Sequence, residues 1–386
     1  MTDIDLSKLD IPLTVSDISW AKLPGKRPRT AGKNARLDSH GINVDVRIAR
    51  ITAGGYVGFG WSNASKEQAE ELLGLSLNEM FDSCGMLKNE YRQFEFPVLD
   101  LIGKLLHKPV YKLVAKAPAS LAGQFSVPVY DTTIYFDELH IENDKEAVDF
   151  ICSEVEYGLS QSHKNFKIKI GRCAMWMEHN AGMRRDIEIV RAIRNLVGSD
   201  AKLMVDANNG FNLSLTKYFL EETKDADVFW IEEPFHEDDS QFINLRGWMQ
   251  DKNIKTLLAD GEGYACPVIV EWAKKGIVDV LQYDIKGYGF FNWIALAQEL
   301  ASFNTLIAPH NYGGFYGNFA AAHIASATDR FCFAEYDVMQ TEGVDTSGYA
   351  IKEGKLYVPE AEGFGLNFDN KVFDDHASKN GWKVQL

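Results

Sequence analysis

The chain has 386 residues, more than one typical core holds, although an α/β barrel can take up about 250 residues as a single domain; one barrel plus a smaller domain is expected. With 46% hydrophobic and 25% charged residues the composition is that of a soluble globular protein, and no apolar run approaches the roughly 20 residues of a membrane helix. A formal net charge of −15 argues against nucleic acid or an anionic membrane as partner, and it requires that any anionic substrate be captured by a local cationic site.

Met1–Asp10 is too polar and acidic for a signal peptide, so a cytoplasmic location is expected. Residues 1–125 lack a strand-then-helix rhythm and read as an α+β capping domain. Its basic segment LPGKRPRTAGKNARLDSHG, punctuated by Gly and Pro, predicts a long loop, and INVDVRIARI (42–51) and GGYVGFGWS (54–62) predict a hairpin turning at AGG. Helical patterns follow in SKEQAEELLGLS and FPVLDLIGKLLHK, the second ended by Pro109. The five cysteines (Cys84, Cys152, Cys173, Cys266, Cys332) show no CxxC spacing, suit a reducing compartment and are expected as buried small hydrophobes.

From Val127 the pattern alternates. Strands are predicted at 127–135, 165–170, 202–208, 228–234, 256–262, 278–285, 305–310 and 331–337, with helical patterns between them such as RRDIEIVRAIRNLV (184–197) and FNWIALAQEL (291–300). Eight strands with seven intervening helical segments is a barrel count, so residues 126–340 are expected to form the catalytic barrel. Residues 341–386, with the hairpin-like YAIKEGKLYVPEAEGFGL, are expected to pack back on the first domain.

Nearly every predicted barrel strand after the first ends in a charged or titratable residue, and parallel strands joined by helices bring those ends to one rim. Lys167 and Lys169 (FKIKIG) share a face of one strand, roughly 6.6 Å apart along it, so each is expected to lower the pKa of the other, a nearby metal to lower it further, and either could then serve as a base near neutral pH. Asp206 (MVDANN), Glu232 (WIEEP) and Glu262 (ADGEG) aim hard oxygen ligands at one point, which suits Mg²⁺. Asp260 and Glu233 compete with Glu262 and Glu232 for those places, and the amide Asn208 suits a substrate hydroxyl. Asp284 and His310 end neighbouring strands, where the carboxylate can fix the imidazole tautomer and raise its pKa. Glu335 ends the eighth strand, placed to accept a hydrogen bond from substrate or to help close the site.

The order KxK, Asp, Glu, Glu, Asp, His, Glu, carried by FKIKIG, MVDANNG, WIEEPF and the spacing of Asp284 and His310, resembles the mandelate racemase subgroup of the enolase superfamily over nearly the whole chain. The resemblance implies an α/β fold, a (β/α)7β TIM-like barrel with an N-terminal α+β capping domain completed by the C-terminal segment. It implies Mg²⁺ on Asp206, Glu232 and Glu262, with Lys169 and the His310–Asp284 dyad as acid/base groups and Lys167 and Glu335 assisting at the substrate carboxylate. DIKGYG departs from the glycine-paired stretch common after the sixth strand, and Lys286 in it is a candidate extra cation. The segment GRCAMWMEHNAGMRRD, with Arg172, Trp176 and His179, resembles the branch that contains sugar-acid dehydratases.

These features predict a lyase that dehydrates a sugar acid to a 2-keto-3-deoxy acid. Racemisation, epimerisation or cycloisomerisation of an anhydro-sugar acid would use the same residues, and a non-catalytic sugar-acid binder is the alternative of another class. Substrate contacts are expected from Asn208, Lys167, Glu335, Arg36 and Trp61, with specificity in a flap at Lys26–His40. The expected partner is a small acid sugar, with no nucleic acid or membrane, in a homo-oligomer.

Overall fold

The computed structural model describes residues 13–117, 121, 123–263 and 265–386; the stretch Met1–Asp10 lies outside them. Strand β1 (Val15–Ala31) runs further than the sequence predicts, because Lys26–Ala31, expected in a loop, continue it and only residues 32–40 are irregular. β1 pairs antiparallel with β2 (Gly41–Ala53) up to Lys26 and then slips until Ala31 meets Gly41. Such a slip re-aims side chains. In that gap Arg27 reaches Asp337, and Arg29 reaches Thr133 and Glu154. Lys26–Ala31 of the expected flap are therefore tied to the alternating strand-and-helix part of the chain, while residues 32–40 stay irregular.

β2 turns through Gly54 and Gly55, at φ of 58° and 83°, into β3 (Tyr56–Trp61), the two-residue hairpin that AGG predicts. Helices α1 (Lys66–Glu70), α2 (Glu95–Leu105) and α3 (Val110–Leu113) follow. α2 lies so close to β3 that a Cβ at Gly60 would stand 2.4 Å from the Pro97 nitrogen, which is why that strand position is glycine.

The second part alternates strand and helix: β4 (Ser126–Ile134), α4 (Asp144–Ser160), β5 (Asn165–Lys169), α5 (His179–Val197), β6 (Leu203–Asp206), α6 (Leu213–Glu222), β7 (Trp230–Glu232), α7 (Asp239–Asp251) and β8 (Leu257–Asp260). It continues with α8 (Ile269–Lys274), β9 (Val280–Leu281), α9 (Ile285–Tyr288), α10 (Phe290–Glu299), β10 (Leu306–Ile307), α11 (Phe315–Ile324) and β11 (Ala334–Tyr336). Strands β4 to β10 are hydrogen-bonded in chain order and parallel, β11 pairs with β4, and a parallel bridge from Ile307 to Phe331 ties the approach to β11 to β10. The sheet curls on itself. Tyr130 of β4, Trp230 of β7 and Phe333, just before β11, meet edge-on with ring centroids 5.4–6.1 Å apart, although β4 and β7 are not neighbours in the sheet. With Met204, Ala259, Val280 and Ala308 they form a small apolar core inside the curl, separate from the main core under the helices.

After β11, β12 (Gln340–Thr341) pairs with β1, β13 (Val344–Asp345) pairs with β16 (Asn367–Phe368), α12 (Asn370–Asn380) packs on β1, and β17 (Trp382–Gln385) adds to the other end of β1. Of the stretch expected to pack back on the first domain, Gly363 O accepts from Val110 N (2.8 Å) and Phe364 N donates to Asp100 (2.9 Å), whereas the hairpin of β14 (Ala350–Lys352) and β15 (Lys355–Tyr357) pairs through β15 with Ser126–Pro128 of β4. These residues precede the first contact of β4 with β5, at Tyr130, so their backbone edge is otherwise open and the hairpin covers it. Cys84 is exposed and the other four cysteines half-buried, so the expectation of buried cysteines does not hold; all five are free. No helix among the described residues is long and apolar enough to cross a membrane.

Candidate active site

Lys169, Asp206 and Glu232 end three adjacent strands and stand in one register row, Lys169 opposite Asp206 and Asp206 opposite Glu232. The row continues to Ala259. Beyond it Gly261, at φ of 126°, turns the chain so that Glu262 rather than Asp260 joins the row's acids. One oxygen from each of Asp206, Glu232 and Glu262 lies within 4.8 Å of the others, while Asp260 stays buried, accepting from Gly261 N at 2.7 Å. Glu233, at φ of 42°, turns away to accept from Asn208 (3.2 Å) and Asn209 (2.9 Å). Asn208 also reaches Asp206 and Glu262, and its buried Oδ1 has no partner among the described residues.

The ammonium of Lys167 is fully buried, 2.7 Å from Glu232, 2.9 Å from Glu335 and 3.5 Å from Asp206. Lys169 pairs with Asp206. In the structure burial does disfavour both charges, but the carboxylates outweigh it: Glu232 and Glu335 hold Lys167 well above its usual range and Asp206 raises Lys169, on which Lys167 pulls the opposite way. Of those carboxylates, Asp206 and Glu232 are ones that a divalent cation would occupy, and its charge would act to lower both lysines. Lys167 is locked between two acids; Lys169, at the rim, is the better placed of the two to exchange a proton.

Asp284 and His310 are joined by a parallel bridge beyond the ends of β9 and β10, which sets their side chains together. His310 Nδ1 lies 2.6 Å from Asp284, and its Nε2 lies 2.8 Å from Glu262 and 3.8 Å from Glu335. Burial opposes the imidazolium, yet Glu262, Glu335 and the bond to Asp284 hold it well above the ordinary histidine range. Glu335 accepts from Asn311 N at 2.7 Å and, despite burial, is held down to about 2 by Lys167 and His310.

The three clustered carboxylates fit a hard divalent cation. Burial raises Glu232 to about 7, and Asp206 and Glu262 add to that against the pull of Lys167, so a cation between them relieves a repulsion the protein otherwise bears. Gln282 (2.9 Å) and Trp230 (3.2 Å) donate to the second oxygen of Glu232 and orient it.

The enolase C-terminal domain-like family matches residues 151–372. Among solved structures, a galacturonate dehydratase from Geobacillus sp., complexed with Mg, is 41% identical, covers 99% of this chain and 100% of its own, and superposes with a TM-score of 0.97. The Geobacillus galacturonate dehydratase complexed with D-galacturonate and 5-keto-4-deoxy-D-galacturonate is 42% identical over 97% of this chain and 100% of its own, with a TM-score of 0.93. The arabinonate dehydratase of Saccharolobus solfataricus is 24% identical over 285 residues, 73% of this chain and 70% of that one. The chain belongs to the enolase superfamily, in the mandelate racemase subgroup. It is an enzyme, and Mg²⁺ is its cofactor.

In this enolase-superfamily enzyme two expected substrate contacts take different places. Arg36 is half-exposed at the rim, its Nη2 3.8 Å from Glu233. Trp61 is packed in the cap, edge-on to Phe96 at 6.1 Å, because β3 lays its side chains on α2; the structure does not bring it to the carboxylates. Lys286 donates to Tyr312 O at 3.1 Å, and burial lowers its pKa. Arg172 is a buried clamp, bonded to Glu138 (2.6 and 3.0 Å) and Asp186 (2.7 Å), with Nη1 3.2 Å from Lys169 O; Trp176 ties to Asn34 O at 2.7 Å, and His179 opens α5.

The sequence points to Lys26–His40 as a segment but singles out none of Gln282, Tyr135, Tyr312 and His40. Gln282 shares the parity of Asp284 in LQYD, a legible signal. Tyr135 ends the first predicted strand, and the ammonium of Lys169 lies 5.4 Å from its ring centre. Tyr312 and His40 come from loops, where no periodicity points.

Proposed function

We propose that the protein is a Mg²⁺-dependent dehydratase of a sugar acid, built on a closed (β/α)7β barrel capped by residues 1–125, and that its substrate is a hexuronic acid of the galacturonate kind. The full-length likeness to the Geobacillus enzyme supports the substrate class. The observation that carries the reaction type is the His310–Asp284 pair, Nδ1 2.6 Å from the carboxylate, at a different corner of the carboxylate cluster from Lys169. An elimination needs a base for the α-proton and a separate acid for the departing hydroxyl.

When bound by Asp206, Glu232 and Glu262, Mg²⁺ supplies the positive charge that the substrate carboxylate needs as its α-carbon gives up a proton. Lys169 takes that proton from C5 of the hexuronic acid. The electron pair then expels the C4 hydroxyl, which leaves as water with the proton of His310. The enol gains a proton at C4 and becomes a ketone, giving a 5-keto-4-deoxy acid, which counted from the reacting carboxylate is a 2-keto-3-deoxy acid. Lys167, fixed by Glu232 and Glu335, holds the carboxylate end, and Asp284 keeps His310 in orientation.

A panel of sugar acids, D-galacturonate first, incubated with the protein and Mg²⁺ and assayed for 2-keto acids tests the reading. It expects a keto acid from a hexuronic acid; recovery of an epimer with no keto acid would replace it with epimerisation.

A further inference from the structure

Facing Lys169 is a wall whose polar groups nearly all satisfy one another. Tyr312 lies beside Tyr135, ring centroids 6.0 Å apart, with the Arg27 guanidinium 5.2 Å from its ring centre, and Arg27 gives two bonds to Asp337, at 3.1 and 2.9 Å. His40, at the end of the cap loop, sits edge-on against Tyr135 (5.4 Å between centroids) and Tyr312 (4.8 Å). Its Nε2 is buried and has no hydrogen-bond partner among the described residues. A buried polar atom left unpaired is costly unless a ligand completes it. The two cations that act on the ring, Lys169 and Arg27, are already paired with Asp206 and Asp337. Burial, reinforced by those two charges, pushes the imidazole down to about 4, so it is neutral at ordinary pH.

We propose that His40 reads the end of the substrate away from the reacting carboxylate, making one hydrogen bond through Nε2 to a sugar hydroxyl, and that the site therefore selects a sugar acid whose far end is uncharged. The inference rests on the dehydratase reading above. The α-carbon must meet Lys169, and Tyr135 is the surface leading from Lys169 to His40. A second carboxylate there would meet a neutral ring; of the cations nearby, Lys169 and Arg27 are paired with acids and Lys286 is turned to Tyr312 O at 3.1 Å, and a buried charge without a partner is strongly disfavoured.

The test compares wild type, His40→Ala and His40→Gln on D-galacturonate, on galactarate, which has the same skeleton with a carboxylate at each end, and on a four-carbon sugar acid too short to reach His40. Wild type should favour galacturonate over galactarate by at least about 100-fold in kcat/KM. His40→Ala should lose roughly tenfold on galacturonate, mainly through KM, His40→Gln should regain most of it, and neither should change kcat/KM on the four-carbon acid. An equal loss on the four-carbon acid, no loss on galacturonate, or galactarate turned over as well as galacturonate would overturn the inference while leaving dehydration intact. A wild type that makes no keto acid from any sugar acid would remove the dehydratase reading and this inference together.

Discussion

The rim of the parallel sheet and the cap-side wall border the same space but are assembled differently. At the rim Lys169, Asp206 and Glu232 occupy one register row, so backbone pairing alone places an ammonium and two carboxylates side by side. The wall draws Tyr135 from the end of one strand, Tyr312 and His40 from loops, and Arg27 from the stretch where β1 has slipped out of register. The rim carries buried acids in excess of its cations, whereas the wall's charges are the Arg27–Asp337 pair and Lys286, which donates to Tyr312 O. Chemistry that must be exact in geometry sits on strands, and recognition that varies with substrate sits on segments free to change without disturbing the sheet.

The sharpest way to break the distinction is Glu232→Gln. It keeps shape, removes one ligand charge and takes a partner from buried Lys167. Activity should fall by at least about 10³-fold, in line with the several kcal/mol that a metal's charge contributes, and Mg²⁺ binding by calorimetry should weaken in parallel. Full activity in metal-depleted buffer would show the rim to be something other than a metal site.

A wall variant should act on stability instead. Arg27→Met leaves Asp337 buried without its cation, and both side chains are 3% exposed or less. Breaking such a pair costs about 3–5 kcal/mol, whereas the double variant Arg27→Met/Asp337→Leu should recover most of it. Denaturant unfolding of the three proteins measures the difference; equal midpoints would mean the pair does not lock β1 to the sheet.

The smallest expected effect lies away from both regions, where Glu95 of α2 accepts from Phe291 N at 3.2 Å. Burial pushes its carboxyl up to about 7 from 4.5, against the backbone bonds from Phe290 and Phe291. A folded pKa above the unfolded one gives stability that is complete below about pH 4.5 and is lost as pH rises through about 7, at most about 3 kcal/mol. Glu95→Gln should flatten that part of the pH–stability curve while leaving the catalytic pH profile unmoved.

The contrast also explains what the chain reveals before folding. Each barrel strand was legible because apolar runs ended in a titratable residue, and Asp206, Glu232, Glu262, Asp284 and His310 follow from that pattern together with the family resemblance. Even there, choosing Glu262 over Asp260 depended on the backbone of Gly261, which strand parity does not encode. The wall is hidden because loop residues carry no period, so His40 reads only as the end of a basic loop; Trp61, on strand β3, is expected at the substrate but packs on Phe96 instead. Lys26–Ala31 misled because Pro28 and the clustered basic residues resemble a loop, whereas ion pairs to Asp337 and Glu154 hold the strand there.

The division of labour between Lys169 and His310 is the centre of this account, and solvent deuterium exchange measured by NMR on the bound sugar acid tests it most directly. His310→Asn should abolish keto-acid formation, a loss of about 10²–10⁴-fold for an acid/base group, yet still exchange the α-hydrogen, while Lys169→Ala loses both. Exchange that survives in Lys169→Ala and stops in His310→Asn would contradict the assignment of Lys169 as the base.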